Sequence, residues 1–297
     1  RGYNVLIDDG PKAFDSEVQT KPARITSLAE KRLLSVREIC QKQRVDRHGV
    51  VPPQAPTLTA GIDIQERAMY WTVCGFGDFF TGGPIAYGVF PEQPVLGPYD
   101  QISVTLQDLW PDQKIDAQIY LGLEALINQL CSVDWKRSSD GVQLPLSRIC
   151  VDRGYKTSAV DLLVRQSAHA GVLTAAKGVG VGAKDTPFED RKLSEGEKAG
   201  HNYQIRRVKT DSRIMYALVD TNYWKTQLHE GLRIGFGDKG CLSLFHVENE
   251  EQHEYLAQNY RAEFPTETFG RGRKVQEWRL KPHAPDNHLL DATSLAM

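Results

Sequence analysis

A short apolar segment with one acid in its middle constrains the fold of this chain most strongly. The segment Thr59-Ala-Gly-Ile-Asp63-Ile-Gln65 has the composition and alternation of a strand. In an extended backbone, the Asp63 side chain projects to the face opposite Ile62 and Ile64. A carboxylate in a buried strand is costly unless something pairs with it. Asp63 is therefore a candidate functional residue.

Two further acids occur in similar contexts. Asp152 ends the apolar run that begins at Ile149, and Asp291 lies on a predicted terminal helix. Three acids on separate elements can converge at one edge of a sheet. Hard divalent cations are held by carboxylates and water rather than by thiols. The pattern therefore predicts a divalent metal site.

Composition limits the class of protein. The chain has 297 residues, of which 40% are hydrophobic and 25% charged, as in an ordinary globular protein. It contains no apolar run near the ~20 residues that span a bilayer, and no signal peptide is visible. The five cysteines include no C-x-x-C pair, which argues for a reducing cytosol and against a zinc site. Because the chain begins with Arg1 and stops within a helical pattern, we expect a fragment of a longer protein.

Residues 1–57 have the pattern of a segment that precedes the main domain. The sequence from Ser27 to Glu30 fits a capping box and predicts a helix over residues 28–44. Three prolines within residues 51–56 then indicate a semi-rigid linker. We expect the main domain to cover residues 58–297.

The order of predicted elements indicates the fold. Strands around Asp63, over residues 69–76 and over residues 84–90 form an antiparallel meander. A helix around residues 119–130, a strand ending at Asp152, a helix over 157–167 and a strand over 172–176 follow. This order predicts an α/β fold of the ribonuclease H type, in which three antiparallel strands and then parallel strands form a mixed sheet flanked by helices.

The pattern is less regular beyond Gly178. It predicts a helix over residues 209–230, a hairpin of residues 232–236 and 242–245, a helix over 250–260, an edge strand over 275–280 and a final helix from near Asp286. Residues 177–184 are rich in glycine but lack the Gly-Lys-Ser/Thr of a phosphate loop. We interpret them as a flexible, basic loop.

Basic charge is concentrated locally, although the formal net charge is −2. Residues 177–213 contain nine Lys/Arg and six Asp/Glu, and residues 271–281 contain five and one. Their position beside glycine-rich segments favours phosphate contacts over merely solvated faces. The candidate DNA-binding residues are Lys177, Arg206, Arg207, Lys209, Arg271, Arg273 and Lys274.

Six blocks over about residues 50–297 resemble the nuclease domain of lambda-type (GpA-like) bacteriophage terminase large subunits, which have a ribonuclease H-like fold. The blocks are Leu58-Thr-Ala-Gly-Ile-Asp63-Ile-Gln-Glu-Arg67 with Gly75-Phe-Gly77, Val151-Asp152-Arg-Gly-Tyr155, Ala176-Lys177-Gly178, Val219-Asp220 with Lys225 and Leu228, Tyr255-Leu-Ala-Gln258 with Glu263, and Trp278 with Asn287-His288-Leu-Leu-Asp291. The chain departs from this pattern at His288, where many relatives have an acid, and has no ATPase motor motif. His288 and Asp291 instead resemble the last motif of Holliday-junction resolvases.

The resemblance implies a metal-dependent endonuclease that cuts concatemeric double-stranded DNA. Two Mg²⁺ or Mn²⁺ ions, about 3.5 to 4 Å apart, would activate water and neutralise the leaving oxygen. It implies that Asp63 bridges both ions, that Asp152 binds one and Asp291 the other, and that Asp286 and His288 lie behind them. His288 is also a possible ligand or proton shuttle. The implied partners are DNA and, through the full-length protein, the terminase small subunit and portal, in the host cytoplasm and away from membranes.

Several alternatives stay open from the sequence. A junction resolvase or transposase-like nuclease would prefer branched DNA. Actin-like ATPases and sugar kinases also open with Gly-Ile-Asp-Ile, but there a glycine-rich phosphate hairpin follows the acid, whereas Gln65-Glu-Arg67 follows here. A DNA-binding module without catalysis would make the acids incidental. Asp152 could instead cap the next helix, and we interpret Asp220 as structural.

Overall fold

The computed structural model describes residues 33–209, 211, 213–282, 284 and 286–297. Residues Leu34–Met297 form one unit, which includes the proline-rich residues 51–56. The first helix of this unit, α1 (Val36–Gln41), begins at a capping box of Ser35 and Glu38. The predicted helix over 28–44 is therefore wrong at its end, where β1 (Gln43–Arg47) is a strand. Its predicted capping box at residues 27–30 lies outside the described residues.

An eight-stranded mixed sheet forms the centre of the unit. Its spatial order is β4-β3-β2-β5-β6-β9-β8-β7. The strands are β2 (Thr57–Ile64), β3 (Met69–Phe76), β4 (Gly82–Phe90), β5 (Leu146–Asp152), β6 (Leu173–Val179), β7 (Lys198–Gly200), β8 (Tyr203–Arg207) and β9 (Met215–Asp220). β2, β3 and β4 are antiparallel neighbours, whereas β5, β6 and β9 follow β2 in parallel. The predicted ribonuclease H-like mixed sheet is confirmed.

Helices cover both faces of this sheet. After the short α2 (Leu106–Leu109), α3 (Ile115–Ser132) and α4 (Thr157–Gln166) share one apolar core with Ile62 and Ile64 of β2. On the other face, α5 (Thr221–Arg233), α6 (Glu254–Tyr260) and α7 (His288–Ala296) share a second core with Tyr70 of β3. The alternation of β2 therefore directs Asp63 away from the first core and towards the α7 side, as the sequence predicts.

Gly61 lets α7 lie directly on β2. A Cβ atom at this position would be 1.9 Å from the carbonyl oxygen of Ala292, so any larger residue collides with the helix backbone. The hydroxyl of Thr59 donates to the carbonyl of Ala296 at the other end of the same contact. This close approach holds the start of α7, with Asp291, beside β2.

The region around β9 differs from the prediction. The helix predicted over 209–230 is wrong in its first part, which is β9, while β7 and β8 were not predicted. Asp220 ends β9 and caps α5 by accepting hydrogen bonds from the backbone N–H groups of Asn222 and Tyr223. This cap agrees with the structural interpretation of Asp220.

The hairpin predicted over residues 232–245 is also wrong. Leu228 and Leu232 lie one helical turn apart and are both buried, so α5 continues to Arg233. The strand β10 (Leu244–His246) pairs in parallel with β1 instead.

The last elements before α7 form a separate hairpin. A 3₁₀ turn (Glu250–His253) leads into α6, which confirms the helix predicted over 250–260. The strands β11 (Glu263–Gly270) and β12 (Arg273–Leu280) pair only with each other among the described residues, so the predicted edge strand is one arm of this hairpin.

Across the described ranges, no helix has the length and apolarity needed to cross a membrane.

Candidate active site

The three acids singled out in the sequence line one cleft. Asp63 lies near the end of β2, Asp152 ends the parallel neighbour β5, and Asp291 lies in the first turn of α7. Parallel strands end at the same edge of a sheet, and α7 packs against β2, β3 and β5. The cleft has a volume of about 240 Å³, and Lys177 and Trp224 also line it.

Asp63 is buried and held by two donors. Its Oδ2 atom lies 2.9 Å from Nε2 of Gln65 and 2.9 Å from Nδ1 of His288. The His288 ring stacks on Tyr70, with ring centroids 4.7 Å apart. Burial on its own would lower the pKa of His288, but the hydrogen bond to Asp63 and the nearby carboxylates raise it above its ordinary value. A protonated His288 would donate to Asp63 and fix its orientation.

Asp286 lies behind His288. Its Oδ2 accepts hydrogen bonds from the Tyr99 backbone N–H at 2.6 Å and from the Tyr255 hydroxyl at 2.8 Å. Its Oδ1 lies 3.7 Å from Nε2 of His288. Asp286 is not among the residues that line the cleft. His288 does not line the cleft either: it contacts Asp63 directly, and Asp286 contacts His288.

Asp152 is placed by the turn after β5. Its Oδ1 accepts a hydrogen bond of 2.9 Å from the Gly154 backbone N–H. The alternative that Asp152 caps α4 is wrong, because Lys156 is at that cap and no side chain bonds there. Burial, followed by the charge of Asp63, raises the pKa of Asp152 to about 6, and Asp291 adds to this shift. The carboxylates are thus close enough to repel one another.

Asp291 belongs to a buried ionic group. Nζ of Lys225 lies 2.8 Å from its Oδ1 and also pairs with Glu263. The Asn287 side chain donates to Oδ2 of Asp291 at 2.9 Å and to Glu263 at 2.7 Å. Burial raises the pKa of Asp291 although the Lys225 charge opposes that shift. Both oxygens of Asp291 therefore have partners from the protein.

The carboxylate oxygens of the three acids are ligands of the kind that a hard divalent cation prefers. Oδ1 of Asp63 accepts no hydrogen bond among the described residues. Burial and then the charge of Asp63 raise the pKa of Asp152, and a bound cation would favour its charged form against both. Among the residues that the structure describes, however, no group of three His, Cys, Asp or Glu side chains is arranged to hold a metal ion. Asp291 is paired with Lys225, so a third carboxylate ligand would have to exchange an ammonium for the metal.

The predicted DNA-binding residues are not all in one place. Of these seven residues, only Lys177 is among those that line the cleft. Arg206 is bonded to Glu197 at 2.7 Å, and Arg273 donates to backbone carbonyls of residues 182 and 183 at 3.2 Å. Lys274 pairs with Glu267 at 2.8 Å. The remaining three, Arg207, Lys209 and Arg271, are exposed.

Several residues that contact the three acids or their partners have no role predicted from the sequence. Gln65 contacts Asp63 and stands two positions after it, just after the end of β2. Residues two apart share a face of an extended chain, so this contact could have been predicted from the spacing. Lys225, Glu263 and Asn287 come from α5, from the first residue of β11 and from the residue before α7. All three stand in segments that resemble the terminase nuclease domain, but no regular spacing in the sequence indicates that they meet.

A mixed eight-stranded sheet with acids lining a cleft at one edge defines a ribonuclease H-like protein. The family model for the endonuclease domain of the terminase large subunit gpA matches residues 15–297, and the chain belongs to this family. It is therefore an endonuclease domain with a role in phage DNA packaging, acting on DNA together with other terminase components. No curated protein and no solved structure matches the chain.

Proposed function

We propose that this domain cuts concatemeric double-stranded DNA by metal-dependent phosphodiester hydrolysis, with Asp63, Asp152 and Asp291 as its metal ligands and catalytic residues. The observation that carries the proposal is that these three acids, far apart in sequence, line one cleft. The pKa of Asp152 is raised by burial and further by the charges of Asp63 and Asp291, which supports a site that a cation completes.

In this proposal Asp63 and Asp152 would hold the first Mg²⁺ or Mn²⁺, and Asp63 and Asp291 the second. Bound metal would supply an activated water and neutralise charge on the leaving oxygen. His288 keeps Asp63 in one orientation through their hydrogen bond. Lys177, on the wall of the same cleft, would contact the DNA backbone.

The wider setting belongs to the same proposal. We infer that the domain works within a full-length terminase that also binds the small subunit and the portal, in the host cytoplasm. Family membership supports this setting in general terms. The similarity of His288 and Asp291 to junction resolvases keeps a preference for branched DNA as the second candidate.

Cleavage assays test the proposal. The purified chain is incubated with linear duplex DNA, supercoiled plasmid and a four-way junction, each with Mg²⁺, Mn²⁺ or EDTA. We expect metal-dependent cuts in duplex DNA and none in EDTA. Selective cutting of the four-way junction would favour the resolvase function, and cleavage that persists in EDTA would contradict metal dependence.

A further inference from the structure

A buried lysine is bonded to one of the three acids of the cleft. Lys225 lies between Asp291 and Glu263, and the side chains of Lys225 and Glu263 are only 8% and 7% exposed. Asn287 donates to both acids and closes the group. The ammonium thus neutralises part of the charge at the place where a metal ligand is expected.

An ammonium and a divalent cation cannot both approach Asp291 closely without cost. Both are attracted by the same carboxylate, and they repel each other at short range, more strongly in a buried site than in water. Glu263 differs from Asp291 because it is not among the residues that line the cleft. Lys225 therefore pairs with one acid that lines the cleft and with one that does not.

We propose that Lys225 is a built-in competitor of the metal: it occupies Asp291 in the metal-free domain and is retained by Glu263 when Asp291 turns to the metal. This inference rests on the proposed function. Lys225 and Glu263 act here as positioning residues, since neither needs to touch DNA or metal. The exchange keeps the domain folded without metal and sets how tightly the metal binds.

Two substitutions move metal affinity in opposite directions if this is correct. Lys225→Met removes the competing charge, so Mn²⁺ affinity should rise by about tenfold or more. Glu263→Gln leaves Lys225 with Asp291 as its only acidic partner within the part of the chain that the structure describes, so Mn²⁺ affinity should fall by a similar factor. Both are measured by calorimetric titration of the whole chain with Mn²⁺ alone, without DNA. Lys239→Met, which removes an exposed lysine charge, gives the control and should leave the affinity unchanged.

Circular dichroism in EDTA shows whether each variant folds. Removal of the buried ammonium leaves the charges of Asp291 and Glu263 uncompensated, which destabilises the folded state. Lys225→Met should therefore melt at a lower temperature than the parent without metal, and Mn²⁺ should raise its melting temperature more. If Lys225→Met does not fold, Glu263→Gln decides: weaker Mn²⁺ binding supports the exchange, and unchanged or tighter binding overturns it. Folded Lys225→Met with unchanged or weaker binding overturns it as well.

Failure of the proposed function and failure of the Lys225 exchange give different results. A parent chain that neither binds Mn²⁺ nor cuts DNA contradicts the proposed function and this inference with it. A parent chain that binds Mn²⁺ and cuts DNA, while both variants bind Mn²⁺ with the parent affinity, contradicts the exchange alone.

Discussion

His288 Nδ1 lies 2.9 Å from Oδ2 of Asp63, although the two residues are 225 positions apart in the sequence. The His288 ring is fixed between Tyr70, which stacks on it, and Asp286, which faces its Nε2 atom. The orientation of the most buried of the three acids is thus set by a residue on α7 and by the groups around that residue.

Substitution of His288 tests this arrangement. His288→Ala removes the donor to Asp63, and loss of such an orienting partner typically costs about 10- to 100-fold in activity. His288→Asn keeps a side chain that can donate to Asp63 and should retain more of the rate. Initial rates of plasmid cleavage in Mn²⁺ give the comparison. Full activity in the alanine variant would mean that Asp63 needs no help from His288.

Gly61 tests the packing that places Asp291. An added methyl group would lie 1.9 Å from the carbonyl oxygen of Ala292, so Gly61→Ala must push α7 away from β2. We expect a loss of about 1 to 3 kcal/mol in the free energy of unfolding and weaker metal binding. Urea unfolding measures the first effect. The matched control is Gly171→Ala, because nothing lies within 4 Å of a Cβ there. Equal stability of the two variants would contradict the close contact.

Asp152 makes metal-free stability depend on pH. Its pKa is about 6 in the folded chain against 3.8 ordinarily, so the folded state binds more protons between these values and stability falls as pH rises through this window. At pH 7.5 in EDTA, Asp152→Asn should therefore be more stable than the parent by about 1 to 2 kcal/mol, and the difference should vanish near pH 4. Melting curves at both pH values check this. Asp112→Asn, at an exposed acid, serves as the control. An Asp152→Asn variant that melts lower than the parent at pH 7.5 would contradict a raised pKa of Asp152 in the folded chain.

Lys177 lines the cleft beside the three acids, and we propose that it contacts the DNA backbone. Lys177→Ala should weaken DNA binding similarly for all sequences and reduce the slope of log K against log salt by up to about 0.9. Arg206→Ala should change that slope less, because the Arg206 guanidinium is bonded to Glu197. Fluorescence anisotropy over a range of salt concentrations gives both slopes. A larger change for Arg206 would assign the phosphate contact to β8 instead.

Strands with regular alternation could be predicted from the sequence. The segments that became β2 and β3 are apolar with β-branched or aromatic residues, and β3 was predicted with its observed bounds. The strands β7 and β8 have polar or charged residues such as Lys198 and Arg206. They form because β8 pairs with the edge of β9 and β7 then pairs with β8. No local pattern carries that information, so β7 and β8 were not predicted and the predicted helix over 209–230 included the residues of β9.

The same distinction applies to the site. Each acid of the cleft could be found because it interrupts or follows an apolar run, where a charge is unusual. The Lys225–Glu263 pair could not be found in this way, because its members are 38 positions apart and meet only when α5 and β11 come together. Long-range ion pairs depend on tertiary packing, which the sequence pattern does not contain.

Plasmid cleavage by single-acid variants tests the central claim most directly. Parent, Asp63→Asn, Asp152→Asn, Asp291→Asn and the control Asp112→Asn are each incubated with supercoiled plasmid in Mn²⁺ and in EDTA, after circular dichroism has shown equal folding. We predict that the parent and the control cut the plasmid only with Mn²⁺ and that each of the other three variants loses cleavage. Cleavage retained by a folded Asp63→Asn variant would contradict the assignment of this cleft as the active site.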